Sequence, residues 1–172
     1  DENIRRRAAD SLEKIDPGNP EAIAGLLQVI RTTDDEDTRW SAVYSLGEIG
    51  QDNPEVIAGL LNVLATTEDE DTRSQAEYSL WKIGVGNPEA IAGLLQILRT
   101  TDDEFTCMEA ACILEKIDPE NAEAIAGLLQ ILRTTDDEKI RRRAARSLGE
   151  IGVEDPLVIA GLLEFIRSDE TY

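Results

Sequence analysis

The hexapeptide AIAGLL, or a near copy of it, recurs along the chain at one fixed interval, with its glycine at Gly25, Gly59, Gly93, Gly127 and Gly161. A constant period of this size confines a chain to architectures in which one small unit stacks on copies of itself, because a lone unit cannot bury its apolar face. Each period holds two helical patterns. The first opens on Asn19-Pro20-Glu21, Asn53-Pro54-Glu55 and Asn87-Pro88-Glu89. Asparagine caps, proline suits a first turn whose N–H has no partner to lose, and glutamate opposes the helix dipole. Asp155-Pro156 repeats the form, and the fourth unit departs from it with Asn121-Ala122-Glu123. Ile23, Leu26, Leu27 and Ile30 then share one helical stripe. A glycine inside such a helix costs about 1 kcal/mol against alanine. Its return in every unit implies close packing against a neighbouring helix, or recent duplication.

The second pattern follows TTDDED, Thr32 to Asp37, whose acids supply a cap and a favourable charge at the helix start. Copies begin near Glu2, Glu36, Glu70, Glu104 and Glu138. Thr38, Ala42, Leu46 and Ile49 make the expected buried stripe, with Ser45 beside them, and Gly50 is the expected stop. The order is one second-type helix, four pairs and a final first-type helix. Both ends are out of phase with the repeat and neither shows a polar capping unit, so residues 1–172 read as a single repeat domain that is a segment of a longer array.

Composition narrows what such an array does. With 36 acidic and 17 basic side chains the net charge is −19, which argues against binding nucleic acid or anionic membranes. No apolar run approaches membrane-spanning length and no signal peptide is visible, so a cytoplasmic place is expected. Histidine is absent. That removes Ser-His-Asp and Cys-His constellations and histidine-based metal sites. No phosphate-cradling glycine loop occurs, and the acidic loops lack the spaced ligands and turning glycine of a calcium site. The expectation is no enzyme, no cofactor and no metal. Cys107 and Cys112, five residues apart on one helix, point to different faces and cannot bridge without unwinding it.

The pattern NPEAIAGLLQxLRTTDDExTRxxAxxSLGxIG resembles HEAT-like repeats of the phycobilisome-lyase type over nearly the whole chain. The resemblance implies an all-α fold, a right-handed α-solenoid of 34-residue two-helix repeats. Such arrays occur in cyanobacterial signalling ATPases of the NACHT/STAND kind, in bilin lyases and in scaffold proteins. It further implies an arginine early in the second helix, paired with aspartate in a ladder between repeats. Arg5, Arg39, Arg73 and Arg141 match, and Cys107 interrupts the series. Second helices of the family line a concave surface whose outward positions recognise partners.

At about 100° per residue, Trp40, Tyr44 and Gly47 fall opposite the buried stripe of their helix. The equivalent places hold Arg6, Asp10 and Glu13; Ser74, Tyr78 and Trp81; Met108, Cys112 and Glu115; and Arg142, Arg146 and Gly149. Four of the seven aromatic residues therefore sit on the outward face of two adjacent helices, where one continuous patch is expected. If neighbouring helices covered them instead, the rings would be buried. Arg6, Arg142 and Arg146 should join that face and could meet an acidic peptide, phosphate or carboxylate, unless they only balance nearby acids. The expected binding set is Trp40, Tyr44, Ser74, Tyr78, Trp81, Met108, Cys112, Arg142 and Arg146. The leading function is a non-catalytic module, sensor or scaffold, that takes a protein or peptide on the concave face. The alternatives are a lyase-like or chaperone-like protein handling a tetrapyrrole, with Cys112 as a linking thiol, and an engineered consensus repeat without native ligand. Near-identical stretches such as IAGLLQILRTTDDE favour the last, and Phe105, Cys107 and DPENAE speak for a natural chain.

Overall fold

The computed structural model describes residues 7, 8, 11, 18–151 and 156–169, and among them it holds nine helices and no strand. These are α1 (Pro20–Thr32), α2 (Glu36–Ile49), α3 (Pro54–Thr66), α4 (Glu70–Gly84), α5 (Pro88–Thr100), α6 (Glu104–Ile117), α7 (Ala122–Thr134), α8 (Glu138–Ile151) and α9 (Pro156–Asp169). First-type and second-type helices alternate as the repeat requires, and the fold is an α-solenoid of two-helix repeats. Of the second-type copy expected from Glu2, Arg5, Arg6, Asp10 and Glu13 lie outside the described residues, as does the cap expected at Asp155. The chain divides into two compact units, residues 1–93 and 94–172, with the division inside α5.

Local chemistry sets the helix starts. The Asn19, Asn53 and Asn87 side chains accept from the backbone N–H two and three residues on, at 2.9–3.2 Å. Asn121 does the same without a following proline, accepting from Glu123 and Ala124 at 3.1 and 3.2 Å. For the second helices the cap is the second aspartate of the loop. Asp35, Asp69 and Asp103 each accept from the threonine N–H three residues on, and Asp137 accepts from Lys139 and Ile140. In the same loops the hydroxyls of Thr33, Thr67, Thr101 and Thr135 accept from the aspartate N–H two residues on. Two side chains thus occupy donors that a helix start leaves unpaired.

Helix α2 ends at Gly50, but not through a left-handed glycine. Gly50 has φ −95°, and the left-handed turn residue is Asp52, at φ 59°, where the next repeat has Gly86 at φ 69°. Aspartate tolerates this region better than most side chains do. Gly50 is small for another reason: a Cβ there would crowd Val56 and the Leu46 carbonyl.

In residues 1–93 the first-type helices α1 and α3 pack side by side, as do the second-type helices α2 and α4, and each pair is joined across the layers. Ile23, Leu26, Leu46, Ile57, Leu60 and Leu80 are all but fully buried there. The stripe Thr38, Ala42, Ser45, Leu46 and Ile49 is buried as expected, yet Ser41, Val43 and Gly47 are buried too. Helix α2 is covered by the first-helix layer and also along its flank, so only a narrow strip faces out. At Gly47 the flanking contact is close. A Cβ would overlap Ser79 of α4, whose hydroxyl donates to the Val43 carbonyl at 3.5 Å.

In residues 94–172, α7 packs on α9 and α6 on α8, with α7 also against α8. The core joins Met108, Cys112, Leu128, Leu132, Ala144 and Leu148. One contact breaks the pattern of the first unit. Helix α6 lies broadly against α7, the first-type helix that follows it, whereas α2 touches α3 only slightly.

The repeated first-helix glycine is a socket. A Cβ on Gly59 would overlap the side chain of Leu27, and one on Gly93 that of Leu61; Gly161 stands in the same relation to Leu129. Gly127 meets Leu98 instead, at an ordinary 3.6 Å, and Gly25 has no such neighbour within 4 Å among the described residues. Gly25→Ala should therefore gain the helix-propensity difference, about 0.5–1 kcal/mol. Gly47→Ala should lose stability, because Ser79 has nowhere to retreat. Thermal and urea unfolding of the two variants checks both signs.

Candidate functional site

The outward strip of the first unit is aromatic. Trp40 and Tyr44, one turn apart on α2, stack with ring centroids 5.7 Å apart and planes within 7°. Tyr78 and Trp81 on α4 meet edge to face at 5.6 Å and 66°. Both geometries are favourable for aromatic pairs. The rings nevertheless stay open to solvent: Trp40 is 39%, Tyr78 48% and Trp81 40% exposed, and Tyr44 is half-buried. Ser74 is exposed on the same helix. The close approach of Gly47 to Ser79 holds the two helices together behind the rings. Gly47 itself, expected on the outward face, is buried in that contact.

A cross-repeat ion pair borders the rings. Lys82, next to Trp81, reaches Glu48, one turn beyond Tyr44, at 2.6 Å. Sequence reasoning missed it, although opposite charges one repeat apart were the available signal. Both side chains remain about a third exposed (38% and 30%), so the pair orients more than it stabilises. Exposed carboxylates at Glu36, Asp37, Glu70 and Asp71 stand at the starts of the same two helices and make the surroundings of the rings acidic.

In the second unit the expectation fails for α6. Met108 and Cys112, expected on the outward face, are 0% and 2% exposed, and the Cys112 thiol lies 3.0 Å from the Ser147 hydroxyl of α8. The reason is the unusual contact with α7 together with the composition of α6. Met108, Ala110, Ala111, Cys112, Ile113, Leu114 and Ile117 leave the helix apolar nearly all round, and such a helix is buried all round. Glu115, at the place that Trp81 holds in α4, is carried inside with them. Glu109 is buried as well, within 3.4 Å of Arg143 on α8. Arg142 and Arg146 do lie on the outward side of α8, partly open to solvent, and Arg142 is paired with Glu138 one turn back.

The early arginines act first within their own repeat. Arg39, Arg73 and Arg141 each donate to the carbonyl of the loop threonine six residues back, Thr33, Thr67 and Thr135. The link between repeats is electrostatic at Asp69, whose carboxyl is held below its ordinary range by hydrogen bonding to Thr72, with the charge of Arg39 adding to it. Where Cys107 replaces the arginine, a cleft of about 420 Å³ is lined by Thr101, Asp103, Glu104, Cys107 and Glu123. There Glu104 makes the cross-repeat link, accepting from the Thr135 hydroxyl at 2.6 Å. Burial, then Asp103 and Glu104, push the Cys107 thiol up, away from the reactive thiolate.

A family model for HEAT repeats matches residues 1–81, 26–115 and 91–172, which together span the sequence. The chain belongs to the HEAT repeat family. No curated protein matches it at a significant level. Among the described residues there is no group of three or more acidic, cysteine or histidine side chains suited to a metal ion, and no helix is long and apolar enough to cross a membrane.

Glu115 provides a pH test of the α6 packing. Burial raises its carboxyl above the ordinary range, Glu150 raises it further, and Lys116 opposes both; its Oε2 has no hydrogen-bond partner among the described residues. Because the folded state holds this proton more tightly, the site's contribution to stability is complete below the unfolded pKa. It is lost as pH climbs through the raised folded value. Glu115→Gln should accordingly be more stable than the parent near neutral pH. The gain should shrink to nothing as the pH falls below about 4, the unfolded glutamate range. Melting temperatures of both proteins across pH 3–7, at about one-unit steps, measure this.

Proposed function

We propose that this HEAT-repeat array is a non-catalytic recognition module that binds a protein or peptide on the face made by its second helices. The observation that carries the reading is the pair of exposed aromatic couples, Trp40 with Tyr44 and Tyr78 with Trp81, on adjacent helices of one unit. Tryptophan and tyrosine dominate interface energies because they cover much area at a small entropic cost. The acids around them favour a segment that offers apolar or aromatic side chains with basic neighbours. Ser74 supplies a hydroxyl on the same strip. Arg142 and Arg146 give α8 a basic outward strip suited to carboxylates on a partner. Met108 and Cys112, being buried, support α6 from inside and have no place in the contact set. The kinship with phycobilisome-lyase-type arrays and with NACHT-associated sensors belongs to this reading, in which the array recognises and another part of a larger protein responds.

The test separates binding from folding. Peptides displayed at random and selected on the chain provide the ligand, and selection should enrich aromatic residues next to lysine or arginine. Trp40→Ala and Trp81→Ala should each weaken binding of the selected peptide by about 2 kcal/mol, the hot-spot scale. Their stability should change by no more than about 1 kcal/mol, as for surface positions. Equal binding by parent and both variants, or unfolding on the scale of a core deletion, would remove the aromatic strip as the site.

A further inference from the structure

One cleft occurs in both units at the same place in the repeat, and its two copies differ in charge. In the first unit it measures about 440 Å³, and Glu36, Glu68 and Asp69 line it together with Arg31 and Arg39. Two repeats later, in the second unit, Arg99, Glu104 and Cys107 hold the places of Arg31, Glu36 and Arg39. The volume there is about 420 Å³, so the exchange of arginine for cysteine changes the charge more than the space. Four carboxylates, Asp102, Asp103, Glu104 and Glu123, now share the wall with the single guanidinium of Arg99. Glu123 already holds that guanidinium, at 2.6 and 3.0 Å. The loop threonine changes with the arginine. Thr33, Thr67 and Thr135 each accept a guanidinium donor at the carbonyl, and they are 3%, 9% and 1% exposed. Thr101, the equivalent residue before Cys107, is only half-buried and lines the cleft.

We propose that the cleft at Cys107 binds a guanidinium group brought by another molecule, which does at Thr101 what Arg39, Arg73 and Arg141 do at Thr33, Thr67 and Thr135. The three sister repeats identify the ligand chemistry, because each holds a guanidinium against the same carbonyl of the same loop. The cysteine side chain ends at its sulfur and offers no such donor, so the stem and head of the ligand pass over it. A guanidinium suits the place better than an ammonium. Its planar fork donates to a carbonyl and to neighbouring carboxylates at once. Asp103 accepts from the Thr106 N–H and Glu104 from the Thr135 hydroxyl, both neutral donors, so these bonds keep the acids in place without neutralising them. The negative charge of both reaches the cleft wall at the Cys107 thiol, which they help to push up. The site belongs to the second unit and does not rest on the aromatic strip of the first. An arginine in a partner peptide and a small free guanidine carry the same group.

Titration calorimetry of the whole chain with Nα-acetyl-arginine amide and with propylguanidinium tests this. Both should give saturable binding that weakens in high salt. Tighter binding of the amide identifies a peptide arginine as the source, and tighter binding of propylguanidinium a small free guanidine. Nα-acetyl-lysine amide should bind about fivefold more weakly than the arginine amide, for want of the fork. Cys107→Arg supplies the guanidinium from within the chain. It should weaken binding of both ligands about tenfold or more, and it should melt no lower than the parent, because it restores the clamp of the other repeats. Asp102→Asn removes one exposed carboxylate of the wall that caps no helix, and should weaken binding about threefold, the scale of an exposed ion pair. Absence of binding by either guanidinium compound overturns the proposal. Undiminished binding to both variants overturns it as well, since the ligand then sits elsewhere, and equal binding of the lysine amide removes the guanidinium reading. Should Cys107→Arg fail to fold, Asp102→Asn decides the site alone.

Discussion

In three of the repeats the carbonyl of the second loop threonine is the point on which the two-helix unit turns. It stands at the end of the first helix, and in three repeats an arginine from the second helix donates to it: Arg39 to Thr33, Arg73 to Thr67 and Arg141 to Thr135. One charged donor on a helix-terminal carbonyl satisfies a group that the helix leaves unpaired and fixes the angle at which the chain doubles back. The threonine hydroxyl and the following aspartate then start the second helix. Each of these arginines thereby ties its second helix to the loop from which that helix starts.

The two units differ in one such clamp and in the composition of their second helices. In residues 1–93 the second helices show a narrow outward strip, and the large rings placed on it stay open to solvent. In residues 94–172 the clamp is missing where Cys107 stands, and α6 rests on α7 as well as on α8. The same repeat positions that carry Trp40 and Tyr44 on α2 therefore carry Met108 and Cys112 into the core. A repeat register is a statement about sequence, and its translation into inside and outside depends on which neighbours a helix has.

Stacking also explains why the first helices keep a glycine at a place where alanine would make a better helix. Leu27, Leu61 and Leu129 need the room. The loss of helix propensity at each glycine is offset by the apolar area that a leucine buries against bare backbone. Gly25 and Gly127 keep the glycine without this contact, so the leucine accounts for the residue at Gly59, Gly93 and Gly161 only.

The repeat, the helix starts and the alternation of helix types were legible in the sequence, because they rest on short-range chemistry: a constant period, Asn-Pro-Glu and TTDD caps, and apolar residues at helical spacing. The rings of Trp40, Tyr44, Tyr78 and Trp81 were legible for the same reason, since a helix with one buried stripe fixes what lies opposite. Three things were decided only by tertiary structure. Ser41 and Gly47 went inside because α4 flanks α2, which no single-helix wheel contains. Met108, Cys112 and Glu115 went inside because α7 covers α6, a contact that α2 and α3 make only slightly. The arginines turned to a carbonyl of their own loop before any aspartate of the next repeat, because the loop brings that oxygen near whatever the neighbouring repeat holds. Local sequence sets what a helix can bury, and the arrangement of its neighbours sets what it does bury.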